Sequence, residues 1–157
     1  MGILIAIFEM GIIKNGILIF SKVFYPLDLD VKGGAKDQIL RSQMISSIIH
    51  FANNCLSTDV EYFLMRKYQI AIASQQVIVR GRKNFVVAYV IGDNNLQVDI
   101  ASESLERALG AFIEKYQNEW GIVEDTSKYS AFEKTLGEIF GDLHYRPFDR
   151  VRKLFIT

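Results

Sequence analysis

A chain of 157 residues is the size of one domain, which argues against a second independent catalytic unit. Half of the residues are hydrophobic, enough for a core without disulfides or a structural metal, and 18 basic residues balance 18 acidic ones, which argues against a dedicated nucleic-acid binder. The lone Cys55 cannot form a bridge within the chain, and with only His50 and His144 beside it a structural zinc site has too few soft ligands.

The apolar opening Met1 to Phe8 meets Glu9, then Lys14 and Asn15, and lacks both a basic lead and about 18 uninterrupted apolar residues. Neither a signal peptide nor a membrane span is expected, and the lack of an Asn-x-Ser/Thr sequon agrees with a cytoplasmic address. Ile3 to Ile13 and Ile17 to Phe24 read as two strands joined at Asn15-Gly16, where a type I′ turn needs positive φ twice; Gly11 is a candidate bulge. A polar stretch from Pro26 to Lys36 follows. Asp37 then caps a predicted helix over 37–55, with Leu40, Met44, Ile45, Ile48, Phe51, Ala52 and Cys55 at three-and-four spacing.

From Val60 the pattern turns to a three-strand meander: Val60 to Met65, Gln69 to Val79 with an irregularity at Ser74-Gln75, and Phe85 to Ile91 after a polar turn at Arg82-Lys83-Asn84. Ser102 is a candidate cap for a helix over 102–119, in which Leu105, Ala108, Leu109, Phe112, Ile113 and Tyr116 form one stripe. Ser130 and Glu133 have capping-box spacing at the head of a third amphipathic helix reaching residue 143. Residues 60–83 carry five basic and one acidic residue, 93–125 two basic and eight acidic. Arg146, Arg150, Arg152 and Lys153 make 144–157 a basic tail.

Ile3 to Phe8 and Phe85 to Ile91 do not alternate apolar with polar, as strands with one wet face do, so both faces of these central strands should be covered. The expected fold is α+β, a five-stranded antiparallel sheet in the order β-β-α-β-β-β-α-α along the chain. The first helix lies on one face and the last two on the other, and the N-terminal strand sits centrally beside the last.

With the segments ILIAIFEMGIIKNGILIFSKVFY, ILRSQMISSIIHFANN, VEYFLMRKYQIAIASQQVIVRGRKNFVVAYVIGD and FIEKYQNEW in that order, residues 1–143 resemble the longin domain. This profilin-like fold occurs in trafficking SNAREs, adaptor and coat subunits and GTPase-regulating complexes. The likeness lies in pattern and order and carries no catalytic signature, so what it implies about function is analogy. Roadblock domains also serve GTPases but usually open with a helix, whereas this chain opens with a hairpin. Neither a heptad coiled coil nor a prenylation cysteine follows residue 143, which sets the chain apart from longin SNAREs.

Reaction chemistry finds little footing in the sequence. Gly33-Gly34-Ala35-Lys36 lacks the spacing of a phosphate loop, and Asp28 with Asp30 offers no third oxygen ligand. His50 and Cys55 fall on different parts of one helix, and no Gly-x-Ser-x-Gly elbow occurs. No enzyme activity, metal or cofactor is expected.

A binding surface is easier to motivate. The strand from Val60 lies at a sheet edge, where Val60, Tyr62 and Leu64 can join Ile45, Ile48 and Ile49 of the first helix in an apolar groove. The plainer alternative is that these residues fill the core. Arg80, Arg82 and Lys83, read as one turn, are candidates to contact GTPase acids or anionic lipid at a membrane periphery. The resemblance implies a partner of the small Ras-like GTPase class or another longin or roadblock-type subunit, the chain acting as a homodimer or within a heteromer. The alternative readings are a profilin-like sensor holding a small molecule between sheet and helix, or a roadblock-like GTPase scaffold.

Overall fold

The computed structural model describes residues 7–24, 35–94, 96–120 and 126–140. Strands β1 (Ile7–Lys14) and β2 (Ile17–Val23) precede helix α1 (Ala35–Leu56); β3 (Tyr62–Leu64), β4 (Tyr68–Val79) and β5 (Arg82–Asp93) precede α2 (Val98–Tyr116) and α3 (Phe132–Phe140). The five strands form one antiparallel sheet in the order β2-β1-β5-β4-β3. The fold is therefore α+β, with β1 central and beside β5. The expected motifs at 28–30, 33–34 and 144–157, and residues 141–143 of the third helix, lie outside the described residues.

Side-chain alternation along the central strands feeds two cores. Met10, Ile12, Ala71, Ala73, Val86, Ala88 and Val90 face α2 and α3, whose Leu105, Phe112, Phe132 and Leu136 complete one core. Ile13, Ile70, Ile72, Val87, Tyr89 and Ile91 face α1 and pack with Ile45 and Ile49. Two covered faces explain why β1 and β5 lack apolar-polar alternation.

Local chemistry sets the connections. Asn15 (φ 51°) and Gly16 (φ 84°) make the first hairpin turn as expected. The second turn is Arg80-Gly81, with φ of 52° and 77°, and not Arg82-Lys83-Asn84, which belong to β5. Glycine at the second position accommodates the left-handed backbone, whereas the polar run misled because polarity does not fix turn geometry. Pairing between β4 and β5 continues without interruption through Ser74-Gln75, so the expected irregularity does not occur there.

The register shift between β1 and β2 falls at Ile12/Ile13, and Gly11 has a different role: a Cβ there would lie 2.5 Å from the Tyr89 ring. The edge strand β3 is shorter than the sequence indicates. α1 starts at Ala35, placing Asp37 in its first turn, where its charge suits the helix dipole. α2 begins at Val98 behind Gln97, which makes no side-chain cap bond, and Ser102 sits within the helix. Ser130 donates to the Ser127 carbonyl at 3.0 Å, in a 3-10 turn (Thr126–Ala131), while Glu133 pairs with Lys22 of β2, so the capping box does not form. Among the described residues no helix is long and apolar enough to cross a membrane.

Candidate functional site

Among the described residues β3 pairs only with β4 and ends the sheet, with no strand on its outer side. Tyr62 opposes Ala71 and Leu64 opposes Gln69, whereas Phe63 opposes Ile70. Because Ala71 belongs to the α2 face and Ile70 to the α1 face, the two-residue period turns Tyr62 and Leu64 toward the α2 side and Phe63 toward α1. Tyr62 is 49% exposed and Leu64 65% exposed, and Met65 follows them into solvent.

That register separates the residues the sequence groups together. Ile45 and Ile49 are buried in the core under α1, Ile48 is half-buried, and Val60 packs against the same core. Tyr62 and Leu64 lie on the other face, so these six do not line one groove. Sequence alone cannot settle this: a shift of one residue in an edge strand exchanges its faces, and the register becomes visible only with the pairing. The three cations also diverge. Arg80 is in the turn and donates to the Asn118 carbonyl at 3.3 Å; Arg82 pairs with Val79 on the α2 side, and Lys83 with Ile78 on the α1 side.

A groove of about 920 Å³ opens where the C-terminal half of α1 passes over the sheet near the β1–β2 turn. Ile13, Ile49, Phe85 and Val87 make its apolar side, and Asn15, His50, Asn53, Asn54, Cys55 and Gln76 supply polar atoms. The His50 ring nitrogen Nε2 lies 2.8 Å from Asn54 Nδ2, a pairing across one helical turn, and Cys55 is exposed. Among the described residues no charged side chain lines the groove. Its lining suits an uncharged or apolar guest held by amide hydrogen bonds.

The most polar buried arrangement was not legible as a site. Glu9 of β1 is 1% exposed and receives Arg41 of α1 in a forked ion pair, Nη2 to Oε1 at 2.6 Å and Nε to Oε2 at 3.1 Å. Tyr89 of β5 donates its hydroxyl to Glu9 Oε2 at 3.3 Å. Burial, then the adjacent Glu9 charge and the hydrogen bond to it, holds the Tyr89 phenol protonated far above the ordinary tyrosine range, with Arg41 opposing more weakly. The carboxylate is thus committed to a guanidinium and a phenol, an arrangement that fixes α1 to the sheet rather than freeing a proton for transfer.

The one available sequence signal was a single acid inside the apolar run Ile3 to Ile13; its partners lie 32 and 80 positions away. Elsewhere under α1, the Tyr68 hydroxyl is buried without a hydrogen-bond partner among the described residues. Among those residues no three of His, Cys, Asp and Glu group closely enough to hold a metal ion. No protein-family model matches the sequence, and no curated protein matches it.

Proposed function

We propose that the chain is a non-enzymatic interaction module of the longin type that binds or regulates a small Ras-like GTPase, or a subunit of a trafficking assembly, in the cytoplasm. The observation that carries this reading is the edge at β3, where exposed Tyr62 and Leu64 stand beside backbone that no strand covers among the described residues. A partner strand added there gains ladder hydrogen bonds and apolar contact together. The order of elements, with a strand hairpin first and one helix against two across the sheet, supports the longin analogy over the roadblock one. A second longin or roadblock-type subunit, including another copy of this chain, is the other partner of this kind.

The test is a binding screen against the small GTPases of the same genome, loaded with GDP, with a GTP analogue or left nucleotide-free. Preference for the empty form points to exchange activity, preference for the GTP form to an effector or scaffold. Tyr62→Asp with Leu64→Asp should weaken the captured partner at least about tenfold, since each removes exposed apolar contact area, while thermal stability stays unchanged. Undiminished binding by the double variant refutes the edge as the docking site.

The groove under α1 favours a second reading, a profilin-like small-molecule sensor, because about 920 Å³ is of the size that holds a small ligand. Native mass spectrometry of the purified chain reads a copurified ligand directly.

A further inference from the structure

The end of the sheet formed by the two hairpin turns has a use that neither reading above absorbs. Asn15 ties the first turn to β5: its amide donates to the Phe85 carbonyl at 2.8 Å, its Oδ1 accepts from the Phe85 amide at 2.9 Å, and its Nδ2 donates to Asn84 Oδ1 at 3.1 Å. Beyond Asn84, β4 and β5 run on with no third strand beside them among the described residues, a projection of roughly 10 Å at about 3.4 Å per residue. Ile78 on this finger is 66% exposed.

Arg80, Arg82 and Lys83 surround the finger on its tip and both faces. From Met10 to Phe24 and from Tyr62 to Gly92 the sequence holds no acidic residue; the hairpins' own acids, Glu9 and Asp93, lie toward the opposite end of their strands, and Glu119, next to the Asn118 that receives Arg80, pairs with Lys128. Val77 anchors the finger in the core shared with α2, and Arg80 donates to the Asn118 carbonyl.

We infer that this finger is a docking surface for an anionic phospholipid bilayer, with Ile78 entering the acyl boundary and Arg80, Arg82 and Lys83 meeting lipid phosphates. Charge complementarity selects an anionic surface. The exposed Ile78 selects a membrane over a nucleic acid, because an aliphatic side chain gains nothing from a phosphate backbone in water, while a bilayer rewards a basic and an apolar signal together. The inference does not depend on the β3 edge, which is a different part of the sheet.

The experiment is flotation of the full chain with vesicles of phosphatidylcholine alone or with about 30% phosphatidylserine, at about 0.1 M salt. Recruitment should require phosphatidylserine and fall away near 0.5 M salt, roughly where the screening length shrinks to a few ångströms. Arg82→Glu with Lys83→Glu should lower partitioning by at least about 25-fold, about fivefold for each cation lost, and Ile78→Asp should lower it as well. Leu64→Asp should leave it unchanged.

Equal recruitment to neutral vesicles, no recruitment at all, or an unaltered double variant of native circular dichroism overturns the inference. So does binding of a duplex oligonucleotide at the same salt without binding to vesicles. Should the charge reversals disturb folding, Ile78→Trp keeps the test: its emission should be quenched by brominated phosphatidylserine vesicles, and unquenched emission overturns the proposal.

Discussion

The two faces of the sheet are sealed by different chemistry. On the α2 and α3 side Phe112 is the hub of an aromatic cluster, its ring centroid 4.8 Å from Tyr116, 5.0 Å from Tyr129 and 5.1 Å from Phe132, with Phe20 of β2 beyond. Trp120 closes that face by donating its indole N–H to the Tyr129 hydroxyl at 3.1 Å. On the α1 side the aliphatic contact is narrower, and the N-terminal half of the helix is held by polar groups: the Glu9–Arg41 pair, Tyr89, and a hydrogen bond between Ser21 and Gln38. Its C-terminal half rides above the groove. One face resists change through close packing, the other through matched charges that leave room beside them.

The largest difference between the faces should appear on truncation. Phe112→Ala empties a fully buried ring site and should cost about 3–5 kcal/mol of unfolding free energy in a denaturant titration. A loss under about 1 kcal/mol would mean that the aromatic cluster does not set the stability of its face.

The polar face should respond in a different pattern. Arg41→Met leaves the Glu9 carboxylate buried without its cation and should cost about 3 kcal/mol. Replacing both partners, Glu9→Leu with Arg41→Met, should restore much of that loss, because removing both charges also removes the desolvation cost. A double variant as unstable as the single one would show that packing, and not the unpaired charge, is what Arg41 supplies.

These two faces were also unequally legible. The apolar stripe of α2, from Leu105 to Tyr116, follows helical spacing and predicts its own buried face, and the unbroken apolar runs of β1 and β5 predict two covered faces and a central position for β1. Asn15-Gly16 declares its turn because that dipeptide tolerates positive φ twice, whereas Arg80-Gly81 hides behind three cations. Glu9, Arg41 and Tyr89 meet only after β1, α1 and β5 assemble, so no local pattern joins them. The placement of Tyr62 and Leu64 opposite Ile45 and Ile49 rests on a register that three residues of β3 cannot announce.

The smallest expected effect separates the phenol from the ion pair it supports. Tyr89→Phe removes one hydrogen bond to Glu9 while the forked Arg41 contact remains, so the loss near neutral pH should be about 1 kcal/mol. The pH dependence carries more information. The folded-state pKa of Tyr89 is raised above the unfolded tyrosine value of about 10, so the native chain keeps a proton that the unfolded chain releases. Its contribution is fully present below pH about 10 and is lost as the pH climbs beyond it, at up to about 1.4 kcal/mol per pH unit. Stability measured from pH 8 to 11 should therefore fall less steeply above about 10 in Tyr89→Phe than in the parent chain. Parallel curves would mean that the Tyr89 phenol reaches water in the folded protein, and that the face under α1 is less tightly closed around Glu9 than the clasp implies.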